Sequence, residues 1–278
     1  MCMAHSISAQ QKVYSYYRLV AIDEMPGRTM EAELFAAANQ EAVKKYMPKG
    51  SAPASVTSFI LFAGEDTILF DAGLGGELWS KKLTDAGVKP ENVKLIFLTH
   101  MHSDHIGGLL QGDVRRFPSA KVLCATPEYE YWFPKNEQPR TPQLAKIKSV
   151  YGQDFEQTFK FGDVVFENSE VKVKTIDAVG HTPGHTAFLI ESPEMKFLVV
   201  GDLLHAAALQ FPVPEACTRY DMDAAKAVAA RKRILDLAAQ EKMPIGGMHF
   251  PAPYMGTVEK NDHGGYVFHA IEEAIEER

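Results

Sequence analysis

Cysteine is scarce in this 278-residue chain. Cys2, Cys124 and Cys217 are an odd number at wide spacing, which excludes a disulfide framework. Cys124 sits in the apolar run Lys121–Ala125 and reads as a buried, inert thiol. Long apolar runs are also missing. None approaches the ~20 residues that cross a bilayer, so neither a transmembrane helix nor a membrane partner is expected. Clusters of Lys or Arg are absent as well: 29 basic residues face 36 acidic ones, a net charge of −7, and nothing invites a phosphate backbone. Nucleic acid is therefore not the expected substrate. The first residues lack the basic start and apolar segment of an export signal, yet their small residues resemble its cleavage side. Residues 1–12 are read as a disordered or residual targeting tail, with an exported or periplasmic and a cytoplasmic location both open. Residues 13–278 are read as a single domain, whose 46% hydrophobic content can fill a substantial core.

What the sequence does contain is concentrated in Leu98-Thr99-His100-Met101-His102-Ser103-Asp104-His105-Ile106-Gly107-Gly108. The apolar run Val93–Phe97 just before it reads as a buried strand. Side chains alternate along a strand, so His100 and His102 should share one side, and the following turn brings Asp104 and His105 back around. Two imidazoles on one side, with a carboxylate and a third imidazole on the other, suggest two metal ions. Imidazole with carboxylate suits zinc, iron, manganese or cobalt, and the missing thiolate argues for an open site rather than a closed structural zinc.

The same event recurs along the chain. The strand Thr67–Phe70 ends in Asp71-Ala72-Gly73, where a carboxylate near the core needs a partner. Asp71 is assigned to a place behind the metals, accepting a hydrogen bond from a ligand. Val171–Ile176 alternates apolar and polar residues and delivers Gly180-His181-Thr182-Pro183-Gly184-His185; His181 is the preferred ligand there and His185 a supporting histidine. Met195–Val200 ends in Gly201-Asp202, and Met243–Met248, read as the last strand, ends in His249. Helices are expected over Glu31–Tyr46, over Glu77–Ala86, from Ile106, over Pro127–Phe133 with its aromatic cluster, over Gln143–Phe155 and over Met222–Gln240. His205, close in sequence to Asp202, is placed at the pocket.

Taken together, His100-x-His102-x-Asp104-His105, Gly180-His181-Thr182-Pro183-Gly184-His185, Gly201-Asp202, His249 and the Asp71 turn resemble the metallo-β-lactamase superfamily. More narrowly, from about Tyr14 to Phe268 the chain resembles its methyl parathion hydrolase-like branch, through Thr99–His102, His181–Thr186, Gly201–Leu204 with Gln210-Phe211, and His249–Pro253. The resemblance implies an α/β fold, a four-layer αββα sandwich. It also implies one metal on His100, His102 and His181 and another on Asp104, His105 and His249, bridged by Asp202. Zinc is the first expectation. Such a pair lowers the pKa of a shared water, and Asp104 can move protons toward the leaving group.

The implied activity is hydrolysis of ester, lactone or phosphotriester bonds in a small molecule, with Trp132, Phe211 and His205 lining the pocket. A thiolate-ligated β-lactamase is disfavoured because Asp202 stands where its cysteine would be. A flavin-coupled di-iron oxygen reductase would carry a carboxylate at His102. A thioester hydrolase of the glyoxalase II kind and a non-catalytic metal-binding protein of the same fold stay open as alternatives, as does a homodimer.

Overall fold

The computed structural model describes residues 10–13 and 17–271. Of the expected tail, residues 1–9 lie outside the described residues, whereas Gln10–Val13 pairs antiparallel with Arg18–Asp23. Two seven-stranded sheets form the centre of the molecule. The first runs, in spatial order, Gln10–Val13, Arg18–Asp23, Thr57–Ala63, Asp66–Phe70, Val93–Phe97, Lys121–Ala125 and Gln157–Phe159. Its first three pairings are antiparallel and its last three parallel. The second runs Val164–Glu167, Lys172–Asp177, Thr186–Glu191, Lys196–Val199, Ile245–Gly246, Met255–Lys260 and Tyr266–Ala270. Every pairing in it is antiparallel except that of Lys196–Val199 with Ile245–Gly246.

The period of two along a strand sorts side chains into layers. Phe59, Leu61, Ile68, Phe70 and Phe97 face the space between the sheets, whereas Ile60, Leu69 and Ile96 face the helices outside the first sheet. Phe188 of the second sheet meets Phe70 and Phe97 with ring centroids 5.2 and 5.6 Å away, locking the sheets face to face. Each such buried ring contributes about 2–3 kcal/mol of apolar burial. The helices Glu77–Asp85, Thr126–Trp132 and Pro142–Tyr151 cover the first sheet through Leu83, Trp132, Leu144 and Ile147. The 18-residue helix Ala224–Glu241 covers the second through Ala230, Ile234, Leu235 and Ala238. The Asp223 side chain caps its start, accepting from Lys226 N. The layers are thus helix, sheet, sheet, helix, as the sequence implied.

Three expected elements differ. The stretch Glu31–Tyr46 is not one helix: Thr29–Glu31 pairs with Ser51–Pro53, a 3-10 turn follows at Ala32–Phe35, and the helix starts at Gln40 because the Asn39 side chain caps Glu41 N and Ala42 N. No helix starts at Ile106. A single turn, Ser103–Ile106, runs into a 3-10 turn at Gly107–Leu109, where a Cβ on Gly108 would sit 2.1 Å from Ala72 O. This backbone approach beneath the site is what the glycine pair permits. Finally, Met243–Met248 is not the last strand; only Ile245–Gly246 is extended, and the hairpin of Met255–Lys260 with Tyr266–Ala270 completes the sheet.

Candidate metal centre

Parallel strands deliver their carboxyl ends to one edge, and most of the chemistry leaves from there. Asp66–Phe70 and Val93–Phe97, paired in parallel, end at Asp71 and at His100 with His102. Lys196–Val199 and Ile245–Gly246, the parallel pair of the second sheet, lead to Asp202 and His249. The single turn Ser103–Ile106 brings Asp104 and His105 back, as the spacing predicted. The loop between Lys172–Asp177 and Thr186–Glu191 supplies His181.

These seven side chains converge. Nε2 of His100 and Nε2 of His181 lie 2.9 and 3.0 Å from Nδ1 of His102. Asp104, His105 and His249 form a second group able to hold an ion, and His100, His102, His181 and Asp202 the first. Asp202 stands between them: its Oδ2 is 3.4 Å from His181 Nε2 and 3.0 Å from His249 Nε2, while its Oδ1 is 3.1 Å from His105 Nε2. Asp202 is buried, whereas the Asp104 side chain is 22% exposed and open to solvent.

The outer contacts of each ring fix which nitrogen carries a proton. His249 Nδ1 faces the Ser55 carbonyl at 2.8 Å and His181 Nδ1 faces Asp221 Oδ1 at 3.1 Å; both oxygens only accept, so both nitrogens donate. Asp71 Oδ2 accepts from His105 Nδ1 at 2.7 Å and from Thr99 Oγ1 at 2.7 Å. With its proton committed to Asp71, Thr99 Oγ1 accepts from His100 Nδ1 at 3.1 Å. Nε2 of four rings is thereby left for the cluster, beside two carboxylates. Buried His105 Nε2 and Asp202 Oδ1 have no hydrogen-bond partner. A ring nitrogen and a carboxylate oxygen 3.1 Å apart, neither with a hydrogen-bond partner, fit a place where divalent cations would displace protons.

Without ions, the electrostatics divide the rings of the cluster. Burial pushes His102 and His181 down to about 4, keeping both neutral as ligands must be. Burial also lowers His105, yet Asp202, Asp71 and Asp104 together hold its imidazolium well above the ordinary histidine value. Burial opposes the ionised form of Asp202, but His249, His105 and His100 keep it well below the usual carboxylate range.

Asp71 sits behind the cluster, in a left-handed conformation (φ 61°) that turns the chain directly after the strand. Besides His105 and Thr99 Oγ1 it accepts from Thr99 N at 2.8 Å. His185 is also a support: Nδ1 donates to Ala178 O at 2.9 Å and Nε2 accepts from Asp202 N at 3.0 Å.

Two supporting carboxylates carry no mark in the sequence. Glu128, fully buried, accepts from Met101 N (2.9 Å), Trp132 Nε1 (2.7 Å), Thr182 Oγ1 (2.6 Å) and Gly184 N (2.9 Å), so it ties the loop of His100 and His102 to the loop of His181. In the sequence it is one acid in an aromatic-rich helix, with no local signal. Asp221, just before the helix Ala224–Glu241, orients His181 and lies 3.4 Å from the buried Arg231 guanidinium, which also donates to Leu203 O and Pro214 O.

A cavity of about 480 Å³ opens over the cluster, lined by His102, Asp104, His181, Asp202 and His249 and walled by Met30, Leu74, Met101, Ile106 and Trp132. Trp132 packs edge-on against His102 with centroids 5.8 Å apart. His205 also lines the cavity, stacked 5.1 Å from His249, and neither of its buried ring nitrogens has a hydrogen-bond partner. Phe211 does not reach the cavity, contrary to expectation. It is buried in the core of the second sheet, stacked 4.8 Å from Phe268 and edge-on to Phe250, because the hairpin missed from the sequence covers it.

The sequence model of the metallo-beta-lactamase superfamily matches residues 52–241. The chain is similar in structure to the hydrolase AbOPH of the beta lactamase superfamily, with TM-score 0.83 and 27% identity over 97% of this chain and 99% of that one. It shares its fold with AidC, a dizinc quorum-quenching lactonase solved with a product, with TM-score 0.82 and 22% identity over 96% and 98% of the two chains. In sequence it is 30% identical over 122 residues to the N-acyl homoserine lactonase AttM of Agrobacterium fabrum. That match takes in 41% of this chain and 42% of AttM, so the matched stretch spans about two fifths of that curated relative.

Proposed function

The chain belongs to the metallo-beta-lactamase superfamily, and from that premise we propose a dinuclear metal-dependent hydrolase that cleaves carboxylic esters and lactones, with phosphotriesters as a slower class. One observation carries the proposal: a cluster of two carboxylates and five imidazoles, split into two groups with Asp202 between them, forms the floor of a cavity with apolar walls. His100, His102 and His181 would hold one ion, Asp104, His105 and His249 the other, and Asp202 both. Zinc suits this imidazole and carboxylate set. When bound, the two ions lower the pKa of water toward neutrality and polarise the bond under attack.

The chain's own residues do the rest. The carboxylate of Asp104 is ionised, since His105 and His249 outweigh the effect of its burial, and it is open to the cavity. It can accept a proton from the attacking water and pass it to the leaving oxygen. His205, whose ring nitrogens make no hydrogen bond although Nε2 lies 3.2 Å from Asp202 Oδ2, can offer an N–H to the substrate carbonyl. Met30, Leu74, Met101 and Trp132 exclude water from an apolar acyl body. Among the described residues Arg28 is the one Lys or Arg of the wall and makes no track for a nucleic acid backbone, which supports a small-molecule substrate.

The test is a panel on metal-loaded protein: an aryl ester, an aliphatic lactone, a thioester and a phosphotriester. Highest kcat/KM on the lactone or ester supports the proposal. Preference for the thioester favours the glyoxalase II-like alternative, and no turnover of any substrate favours a non-catalytic metal-binding protein.

A further inference from the structure

We propose that Arg28 sets the specificity of the cavity, and that the substrate is an ester or lactone carrying a second oxygen acceptor, a carboxylate or carbonyl, remote from the bond that is cut. This rests on the proposed hydrolase activity and adds to it the far end of the substrate.

Arg28 is the one Lys or Arg in the cavity wall among the described residues. Its guanidinium is under-used by the standard of its neighbours. Arg115 pairs with Asp154, Arg116 donates to Gly108 O, Gly75 O and Ser80 Oγ, and Arg231 is held by Asp221 and three carbonyls. Arg28 Nη1, in contrast, donates to the thioether of Met25 at 3.3 Å, a weak acceptor, and its buried Nε has no partner at all. A buried donor without an acceptor costs free energy unless something arrives to meet it.

The backbone around Arg28 is fixed, which roots the side chain at the cavity wall. Arg28 N donates to Met25 O at 3.1 Å and Ala54 N donates to Arg28 O at 2.9 Å. The strand after it, Thr29–Glu31, pairs with Ser51–Pro53. At the head of the loop Asp23 accepts from Met25 N and from Tyr254 Oη, each at 2.9 Å. Apart from the Met25 thioether, the surrounding chain gives the guanidinium no acceptor, and an oxygen carried by a ligand would supply one.

Chemistry narrows what it is. A guanidinium only donates, so an ammonium end is rejected, while a carboxylate or carbonyl oxygen is received, the carboxylate most strongly because it can take two parallel N–H bonds. The same cavity wall contains Met30, Leu74, Met101 and Ile106, which suits an apolar segment joining that oxygen to the scissile bond.

The experiment uses the full chain with its metals and three aryl esters of equal acyl length, ending in a methyl, an amide or a carboxylate. In Arg28→Met, the ratio of kcat/KM for the carboxylate ester to that for the methyl ester should fall roughly tenfold, mainly through KM, with a smaller fall for the amide. Calorimetry with a linear aliphatic dicarboxylate should show roughly tenfold weaker binding to the variant than to the unsubstituted protein. An unchanged ratio, whether all three esters suffer equally or none does, overturns the assignment. Failure of the unsubstituted protein to cleave any of the three esters would instead defeat the hydrolase proposal, and dicarboxylate binding would still decide the role of Arg28.

Discussion

Glu128 offers the sharpest test of how the two ligand loops are held. Four donors end on one buried carboxylate: Met101 N and Trp132 Nε1 on Oε1, Thr182 Oγ1 and Gly184 N on Oε2. Burial raises its pKa, opposed by those four bonds, so the carboxylate itself is costly and is kept for its acceptors. Glu128→Gln keeps one oxygen and turns the other into a donor. The hydroxyl of Thr182 can rotate to accept from the amide, but Gly184 N–H cannot, so one buried donor is orphaned at a cost of about 2 kcal/mol. Glu128→Ala orphans all four and leaves a void, which the surroundings offset only in part, for about 4 kcal/mol. For a chain of this size those losses correspond to roughly 4–8 °C and 8–16 °C in Tm. Thermal and urea unfolding of metal-free protein measure both. A glutamine variant within ~0.5 kcal/mol of the unsubstituted protein, or glutamine and alanine variants equally destabilised, would show this picture of the carboxylate to be wrong, because the ordering comes from counting orphaned donors.

Other outcomes come from the same geometry. Metal uptake by the metal-free protein should release protons, because Asp202 and Asp71 raise the pKa of His105, and Asp202 that of His249, against the effect of burial. Protons compete with the ion for these rings, so affinity must rise with pH; calorimetry in buffers of different ionisation heat should report about one to two protons released, and a value of zero contradicts the assignment. Asp221→Ala frees His181 Nδ1 and should weaken metal binding roughly 10–100-fold in a chelator competition, against no measurable change if Asp221 serves only Arg231. His102→Ala should lose close to one ion per chain and nearly all turnover while retaining its circular dichroism. Full activity in that variant would remove His102 from the centre.

Much of the site is legible in the sequence because its residues cluster at strand ends. A run such as Val93–Phe97 announces its strand by composition, and the residues after it must lie at the sheet edge. On that ground His100, His102, Asp104, His105, His181, Asp202 and His249 are expected together from sequence alone, with Asp71 behind them, and in the fold they meet. Glu128 is not legible, since its importance lies in donors 27 and 56 residues away rather than in its neighbours. Phe211 is misplaced by the sequence for a related reason. Its surroundings are set by Phe250 and Phe268, and the strand carrying Phe268, with Val267 and His269 facing solvent, lacks the apolar run that marks a buried strand. In the segment Glu31–Tyr46 alanine and glutamate content points to one helix, but the Asn39 cap and the pairing of Thr29–Glu31 outweigh propensity.

The proposed chemistry stands or falls on two ions sharing the carboxylate of Asp202. Anomalous diffraction from crystals of metal-loaded protein, with elemental analysis of the same preparation, locates and counts them. Close to two transition metal ions per chain are expected, one among His100, His102 and His181 and one among Asp104, His105 and His249, each within bonding distance of Asp202. A single ion per chain, or a pair that leaves His249 or Asp202 uncoordinated, would contradict the assignment.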